Sequence, residues 1–269
     1  MSAVPEPAAE GAVSSAAGAA SASAAAGSTP VVYWAMSQTF SAVFRHRIVP
    51  SSAMMLPSAA VSIVPSVSRG FCLFLVEAHT PGVQVAGYKV YDGSRAGDLQ
   101  LDAVVLGPDA LLGMEGESLG LLEHLVDLGI VAACADALGA MGALLRKTGE
   151  YVSTRKQFDV PIASFQVIQH RLVDMFAAVE ASRSLVLMAA LHAEHPDAAT
   201  RSRAVSAAKA AIGERARFVA QQAVQLHGGV GMTEELDIGH YFRRLTLFCN
   251  LLGSTDHHLQ RFATLRAVA

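Results

Sequence analysis

From about Glu117 to the end of the chain, apolar residues recur at three- and four-residue spacing, with breaks at Pro161, Pro196, Gly228-Gly229 and Gly253-Ser254. That period lets a helix keep one face against a core, so this part of the chain is committed to helices before any other feature is considered. The pattern predicts a first helix over about Glu117–Tyr151 and a second over about Ser164–His192, with Ser164 as its N-cap just after Pro161. A third covers about Ala198–Leu226 and stops at Gly228-Gly229, a fourth covers about Glu234–Leu251, and a fifth begins near Ser254. Long helices joined by short turns pack as antiparallel neighbours in a bundle. In the first helix the small residues Gly139, Ala140, Gly142 and Ala143 allow a close approach to another helix.

The segment before the helices follows a different period. Phe71–Val76 is a compact apolar run that reads as a buried strand. Thr80-Pro81-Gly82 carries turn chemistry and Asp92-Gly93 is a hairpin signal. Asp98–Val104 alternates polar and apolar residues with period two, and Leu111-Leu112-Gly113 closes an antiparallel β unit. The fold class is therefore α+β: a partial antiparallel β-domain over 66–114, followed by an all-α helical-bundle domain over 115–269.

Residues 1–65 fit neither pattern. Residues 1–29 are almost entirely Ala, Ser, Gly and Pro, which offer little side-chain surface to bury, so the expectation is a poorly ordered, low-complexity region. Glu6 and Glu10 stand where a secretory signal needs basic residues. The uncharged stretch from Ile48 to Ser68 is broken by Pro50, Pro57 and Pro65, which argues for loops and short strands and against a membrane span. The net charge of −3, from 20 basic and 23 acidic residues, argues against nucleic-acid binding through a basic face. Cys72, Cys134 and Cys249 are too far apart for a zinc motif and point to a reducing, cytoplasmic location.

Three motifs then appear in order. Arg155-Lys156-Gln157-Phe158, Ile162 and Gln166 match the pattern R-x-x-F-x-x-x-(I/L)-x-x-x-Q. Gln225-Leu226-His227-Gly228-Gly229-Val230-Gly231 matches Q-x-x-G-G-x-G, and Tyr241-Phe242-Arg243-Arg244 precedes a final loop. Together they resemble the acyl-CoA dehydrogenase family over roughly residues 70–267, covering its C-terminal helical domain and part of its middle β-domain. The resemblance implies an FAD site formed between subunits of a homo- or hetero-oligomer, and an acyl-CoA substrate. Arg155 would hold the flavin pyrophosphate with its fixed-charge fork, with Gln157 beside it, Phe158 would pack on the adenine side and Gln166 would hydrogen-bond the cofactor. Gln225 and the Gly228-Gly229 backbone would approach the adenosine end, where glycine permits close main-chain contact. Read without the resemblance, Arg155 is an interhelix-turn arginine, Phe158 a core residue and Gly228-Gly229 a helix stop.

The same resemblance exposes a gap. Family chemistry needs a glutamate that takes the substrate α-proton, normally from an E-G-T loop that here reads Leu252-Gly253-Ser254. Some members place the base early in the first long helix, where this chain has Gly129. The nearest acids, Asp127 and Glu123, read as solvated charges on a helix, so no catalytic residue is assigned. The family's long N-terminal helical domain also has no counterpart in residues 1–65, and Trp34-Ala35-Met36-Ser37 does not match its flavin-ring segment. The implied function is FAD-linked α,β-dehydrogenation of an acyl-CoA, with this chain as a subunit that completes a partner's flavin site. The alternative is a helical oligomerisation scaffold or truncated fragment that binds no flavin. His257-His258 and His192 with His195 lack metal-ligand spacing, and no metal site is expected.

Overall fold

The computed structural model describes residues 59–66 and 70–267. Most of the low-complexity tract expected over 1–65, and Trp34 with it, lies outside the described residues. Among the described residues, seven strands and five α-helices follow in order. Strands β1 (Ala59–Ser66) and β2 (Gly70–Glu77) pair antiparallel along their full length, and β5 (Leu111–Leu112) joins the other edge of β2. Strands β3 (Val83–Lys89) and β4 (Arg95–Leu101) form a separate hairpin, turning at Asp92-Gly93 with Gly93 at φ 87°. The alternation read over Asp98–Val104 is therefore shifted. The strand runs from Arg95 to Leu101; Asp102 adds one more bond in the same register, its N–H donating to Gly82 O at 2.9 Å, before Ala103 turns the chain at φ 48°.

Helix α1 (Leu119–Thr154) leads into a short hairpin, β6 (Lys156–Gln157) and β7 (Val160–Pro161), and then α2 (Gln166–His192). Helix α3 (Ala198–His227), α4 (Ile238–Phe248) and α5 (Thr255–Ala267) complete the bundle. The helix count and order match the periodicity, but two local expectations do not hold. Ser164 is not an N-cap: its hydroxyl donates back to Pro161 O at 2.8 Å, and Phe165 occupies the cap position without a side-chain bond. Helix α4 is shorter at both ends than Glu234–Leu251, since a 3-10 turn over Gly228–Met232 and a further turn occupy the chain before it. Asp197 does cap α3, its carboxylate accepting the N–H of Thr200 at 2.8 Å.

Helix α3 is the axis of the bundle. It packs against α1, α2, α4 and α5, and it buries Val205, Ala208, Ile212, Ala216, Val219, Ala220 and Ala223 on several sides. Small residues let four helices surround it. Ala140 of the small-residue stretch is buried in the core, but no tight approach is made at Gly139 or Gly142, where a built Cβ meets nothing within 4 Å. It occurs instead at Gly213, where a Cβ would sit 2.8 Å from Thr255 Oγ1 and so fixes how near α5 comes to α3.

By length and apolar composition α1 would suffice to cross a membrane. It is a core helix here, with Asp127 and Thr148 both fully buried. The reading of Asp127 as a solvated charge is overturned. Its carboxylate accepts from Arg201 Nε at 3.3 Å, Ser202 Oγ at 2.8 Å and Arg261 Nη1 at 2.7 Å, tying α1, α3 and α5 together. A second buried cluster fixes the loop between α4 and α5. Lys209 Nζ donates to Phe248 O and Gly253 O, both at 2.9 Å, with the Phe248 ring 4.4 Å beneath it. His258 is 1% exposed; its Nε2–H donates to Leu252 O at 2.9 Å, and Nδ1 faces Ser206 Oγ at 3.4 Å. The β unit is joined to the bundle by Arg244 of α4, which reaches Asp92 in the β3–β4 turn at 3.2 Å and Asp136 of α1 at 2.9 Å. Burial alone would raise the Asp92 carboxyl, but bonds from Ser94 and Arg244 hold it below the usual carboxylate range.

Two outcomes are expected. Asp127→Ala leaves the Arg201 guanidinium, 5% exposed, without its carboxylate, and urea unfolding should register a loss of about 3–5 kcal/mol. A loss under about 1 kcal/mol, the worth of a solvated pair, would refute the buried network. Burial also pushes the His258 imidazole down to about 4, with nearby Lys209, His257 and Arg261 adding to the effect. The unfolded chain therefore takes up a proton that the folded chain refuses. The stability contributed by neutral His258 is complete above about pH 6.5, the ordinary imidazole value, and is lost as pH falls to about 4. Its slope there approaches about 1.4 kcal/mol per pH unit. His258→Asn should flatten that slope in pH-resolved denaturation, and an unchanged slope would assign it to other groups.

Candidate functional site

The first motif folds into a strained hairpin. Arg155 caps α1 with its N–H on Tyr151 O at 2.8 Å, and its carbonyl accepts from Ile162 N at 2.8 Å, which closes β6 on β7. Gln157 pairs with Val160, leaving Phe158 and Asp159 as a two-residue turn with φ of 53° and 65°. Both residues are left-handed, the backbone of a type I′ turn for which Asn-Gly is the preferred pair. A phenylalanine there is costly. The turn carries the ring outward: Phe158 is 87% exposed, touching only the edge of Phe165 among described aromatic neighbours, at 6.2 Å between centroids. Phe158 is thus not a core residue.

The second motif ends α3. Gly228 has φ 64° and donates its N–H to Gln225 O and Val224 O, so a helix stop is part of its role. A Cβ at Gly228 or Gly229 would meet nothing within 4 Å, so both present open backbone to the outside. Gly231 differs, since a Cβ there would lie 2.9 Å from His227 Cβ and 3.0 Å from Val224 O.

The two motifs meet through a pair of rings. Tyr151, one turn before Arg155, stacks on His227, the residue before Gly228, with centroids 4.4 Å apart and planes 26° apart. The Tyr151 hydroxyl donates to His227 O at 3.4 Å, while His227 Nδ1–H donates to Ala223 O at 2.7 Å. This clamp brings Arg155, Gln157 and Phe158 to the same end of the bundle as Gln225, Gly228 and Gly229, and Gln166 opens α2 directly beyond the hairpin. All seven residues are exposed. The guanidinium of Arg155 has no hydrogen bond or ion pair with any described residue. Gln169, not Gln166, is spent internally, donating to Ala163 O at 3.0 Å. Tyr151 and His227 escape a reading of the sequence because neither belongs to a spaced pattern of its own, although both adjoin motif residues.

The loop that aligns with the family's base lies elsewhere. Leu252 (φ 56°) and Gly253 (φ 110°) are both left-handed, held by the Lys209 and His258 bonds already described. A Cβ at Gly253 would collide with His257 Cδ2 and His258 Nε2 at 2.7 Å. The turn aims Leu252 at α1, where a Cβ built on Gly129 would be 3.3 Å from Leu252 Cδ1. Leu252 and Gly129, the two positions that the resemblance aligns with a base, thus face each other, and neither bears a carboxylate. Asp127 is locked by two arginines and cannot substitute, and Glu123 stands exposed on α1. Gly129 and Arg155 are 26 residues apart along α1 and its cap, about 39 Å at 1.5 Å per residue. The Arg155 end and the Leu252 face therefore cannot serve the same reacting atoms within one chain. The described residues hold no group of three or more metal-ligand side chains.

Residues 123–264 match the family described as acyl-CoA dehydrogenase, C-terminal domain. Acyl-CoA dehydrogenase IpdE2 of Mycobacterium tuberculosis is 36% identical over 138 residues, which are 51% of this chain and 41% of that protein. The mitochondrial isovaleryl-CoA dehydrogenase of Oryza sativa subsp. japonica is 32% identical over 200 residues, 73% of this chain and 48% of that protein. Among solved structures, the ChsE4-ChsE5 complex from Mycobacterium tuberculosis superposes with a TM-score of 0.70 at 28% identity, over 78% of this chain and 56% of that one. The chain spans less than half the length of the two curated relatives it matches here. The motifs, the bundle that arranges them and the match over 123–264 lead to one conclusion: the chain belongs to the acyl-CoA dehydrogenase family.

Proposed function

We propose that this chain completes the FAD site of a partner acyl-CoA dehydrogenase subunit in an enzyme that dehydrogenates an acyl-CoA thioester between its α and β carbons. The observation that carries the reading is the contrast between the two ends of α1. One end displays the side chains of Arg155, Phe158 and Gln166 to solvent, beside the open backbone of Gly228-Gly229. The other places Leu252 against Gly129, with no proton acceptor at either. The residues fit the cofactor: an unpaired, permanently charged fork suits a pyrophosphate, an outward ring suits a purine face, and unobstructed glycine backbone suits the ribose.

When bound, the flavin supplies the acceptor for the hydride that leaves the β-carbon. The residues of this chain bind and orient. Arg155 holds the pyrophosphate, Phe158 covers the adenine from one side and excludes water there, and Gln157, Gln166 and Gln225 supply side-chain amides at its rim. Tyr151 and His227 keep the two halves of the half-site in register. The proton acceptor comes from the partner, because leucine and glycine can take no proton. A partner that is a different family subunit meets this need and a copy of this chain does not. The ChsE4-ChsE5 neighbour, a complex of two differently named proteins, supports that choice. Three free, buried cysteines agree with a reducing cytoplasmic setting.

Visible absorption of the chain, purified alone and co-expressed with a fuller family subunit, tests the proposal. A colourless chain and a yellow complex are expected. A flavin band from the chain alone would restore an autonomous enzyme, and two colourless preparations would leave the scaffold reading. In a yellow complex, Arg155→Ala removes a charged hydrogen-bonding partner worth about 1.5–3 kcal/mol. Flavin retention through gel filtration should then weaken by about tenfold or more. Unchanged retention would remove Arg155 from the pyrophosphate site.

A further inference from the structure

Helices α3 and α4 pack together, and a cleft of about 150 Å³ opens between them. Its walls follow from the helix period. Arg217 and Gln221 stand one turn apart on α3, and Phe242 and Thr246 one turn apart on α4, so each pair shares a face. Ala220 and Cys249, 2% and 3% exposed, form the floor, and Asn250 closes the end beyond α4. The floor and one wall are satisfied internally. Cys249 Sγ donates to Gly213 O at 3.4 Å, and the Thr246 hydroxyl donates to Phe242 O at 2.8 Å.

The polar groups at the rim are not satisfied internally. Arg217 is exposed. Its guanidinium reaches no carboxylate or carbonyl oxygen among the described residues, although Glu214 precedes it by three residues on the same helix. Other arginines of α3 are bound: Arg201 to Asp127, and Arg215 to Ala211 O at 3.0 Å. The side-chain amides of Gln221 and Asn250 also have no partner among the described residues, and both residues are exposed.

A fixed cation at the rim of an apolar slot selects its ligand. The guanidinium fork takes a carboxylate through two parallel hydrogen bonds. The floor and the half-buried Phe242 ring offer apolar contact to whatever carries that carboxylate. The volume limits this body to about one six-membered ring, since an apolar cavity of that size holds benzene. One cation matches a monoanion, whereas a phosphate dianion would bring an unmatched charge over an apolar floor. We propose that the α3–α4 cleft binds a small monocarboxylate with a ring-sized apolar body, the carboxylate on Arg217 and the ring against Phe242. The site is separate from the flavin half-site. Arg217 precedes Gly228 by 11 residues along α3, about 16 Å, and Asn250 leads into the Leu252 loop instead.

Saturation-transfer NMR on the full chain, with benzoate as the probe and benzamide as its neutral isostere, tests the site. Saturable binding of one benzoate per chain is expected, with benzamide weaker by at least about tenfold, the worth of a charge-assisted pair. Arg217→Gln should weaken benzoate by a similar factor. Thr246→Phe, which fills the cleft from an exposed position on its rim, should abolish binding, and circular dichroism of both variants should match the unsubstituted chain. Benzoate that does not saturate at millimolar concentrations, benzamide that competes equally, or a folded Arg217→Gln variant that binds as before would each overturn the site. Two competitors mark the remaining ways to fail. Displacement by inorganic phosphate at matched ionic strength would make the cleft a general anion site, and displacement by ADP would make it part of the cofactor half-site; either overturns the monocarboxylate assignment. The flavin reading is decided separately, by absorbance.

Discussion

The bundle depends on one buried carboxylate. Asp127 has no exposed surface, and three elements meet on it: α1, which carries it, α3 through Arg201 and Ser202, and α5 through Arg261. A charge taken out of water is tolerated only where it is paired and fully hydrogen-bonded. The geometry leaves little freedom: Arg261 reaches Asp127, Ser202 and Ser206 with two nitrogens, so α5 can dock in one register along α3. That docking places Thr255 against Gly213 and brings His258 over Ser206, and from there the preceding loop is set by Lys209 and His258. The position of Leu252 thus follows from an ion-pair network that lies one to two turns away along the same face of α3, where Ser202, Ser206, Lys209 and Gly213 stand at spacings of 4, 3 and 4 residues.

The opposite end of the bundle is governed by a different kind of contact. Tyr151 and His227 join α1 to α3 by stacking and one hydrogen bond, without charge, and so hold the Arg155 hairpin beside the Gly228 turn. The guanidinium can then remain free for an external anion. Had the clamp used a carboxylate, it would have competed for Arg155. Along α3, charged groups lock the N-terminal half, while the C-terminal end combines this clamp with a bond from Arg171 Nη1 to Gln222 Oε1 at 2.6 Å.

Much of this was legible in the sequence, for reasons that can be named. Five helices and their order follow from apolar spacing, which burial on one face enforces, and Gly228 announces the end of α3 because a left-handed residue is needed there. The seven motif residues could be singled out because they stand at fixed spacings, and the structure leaves all seven exposed at one end of the bundle. Asp127 was not. A lone acid on a helix has the same local pattern whether it faces solvent or two arginines 74 and 134 residues away. Lys209 escaped for the same reason, its acceptors being backbone oxygens 39 and 44 residues on. Ser164 misled because serine before a helix can satisfy its hydroxyl by turning back on Pro161 as well as by capping. The small residues Gly139 to Ala143 permit a close approach, but spacing alone does not say that the tightest one is made at Gly213.

Backbone strain separates the two sites from the rest of the described chain. Among the described residues, four other than glycine have left-handed φ: Ala103, Phe158, Asp159 and Leu252. Ala103 belongs to the turn after β4. The other three sit at the hairpin and at the loop where family members carry a base. A conformation of this kind costs of order 1–3 kcal/mol and persists where surrounding contacts over-determine it. At the hairpin those contacts are the Arg155–Ile162 closure and the Gln157–Val160 pair, and the result is an aromatic ring held in solvent. At the loop they are two buried side chains, the Lys209 ammonium and the His258 imidazole, the latter kept neutral by burial. Yet the side chain so placed is a leucine, packed toward a glycine. The loop holds a leucine in a left-handed turn, and the hairpin holds an aromatic ring in solvent. On the proposed partner-subunit function, the free faces of Arg155 and Phe158 and the lack of a carboxylate at Leu252 and Gly129 have one explanation: both are matched by a second subunit.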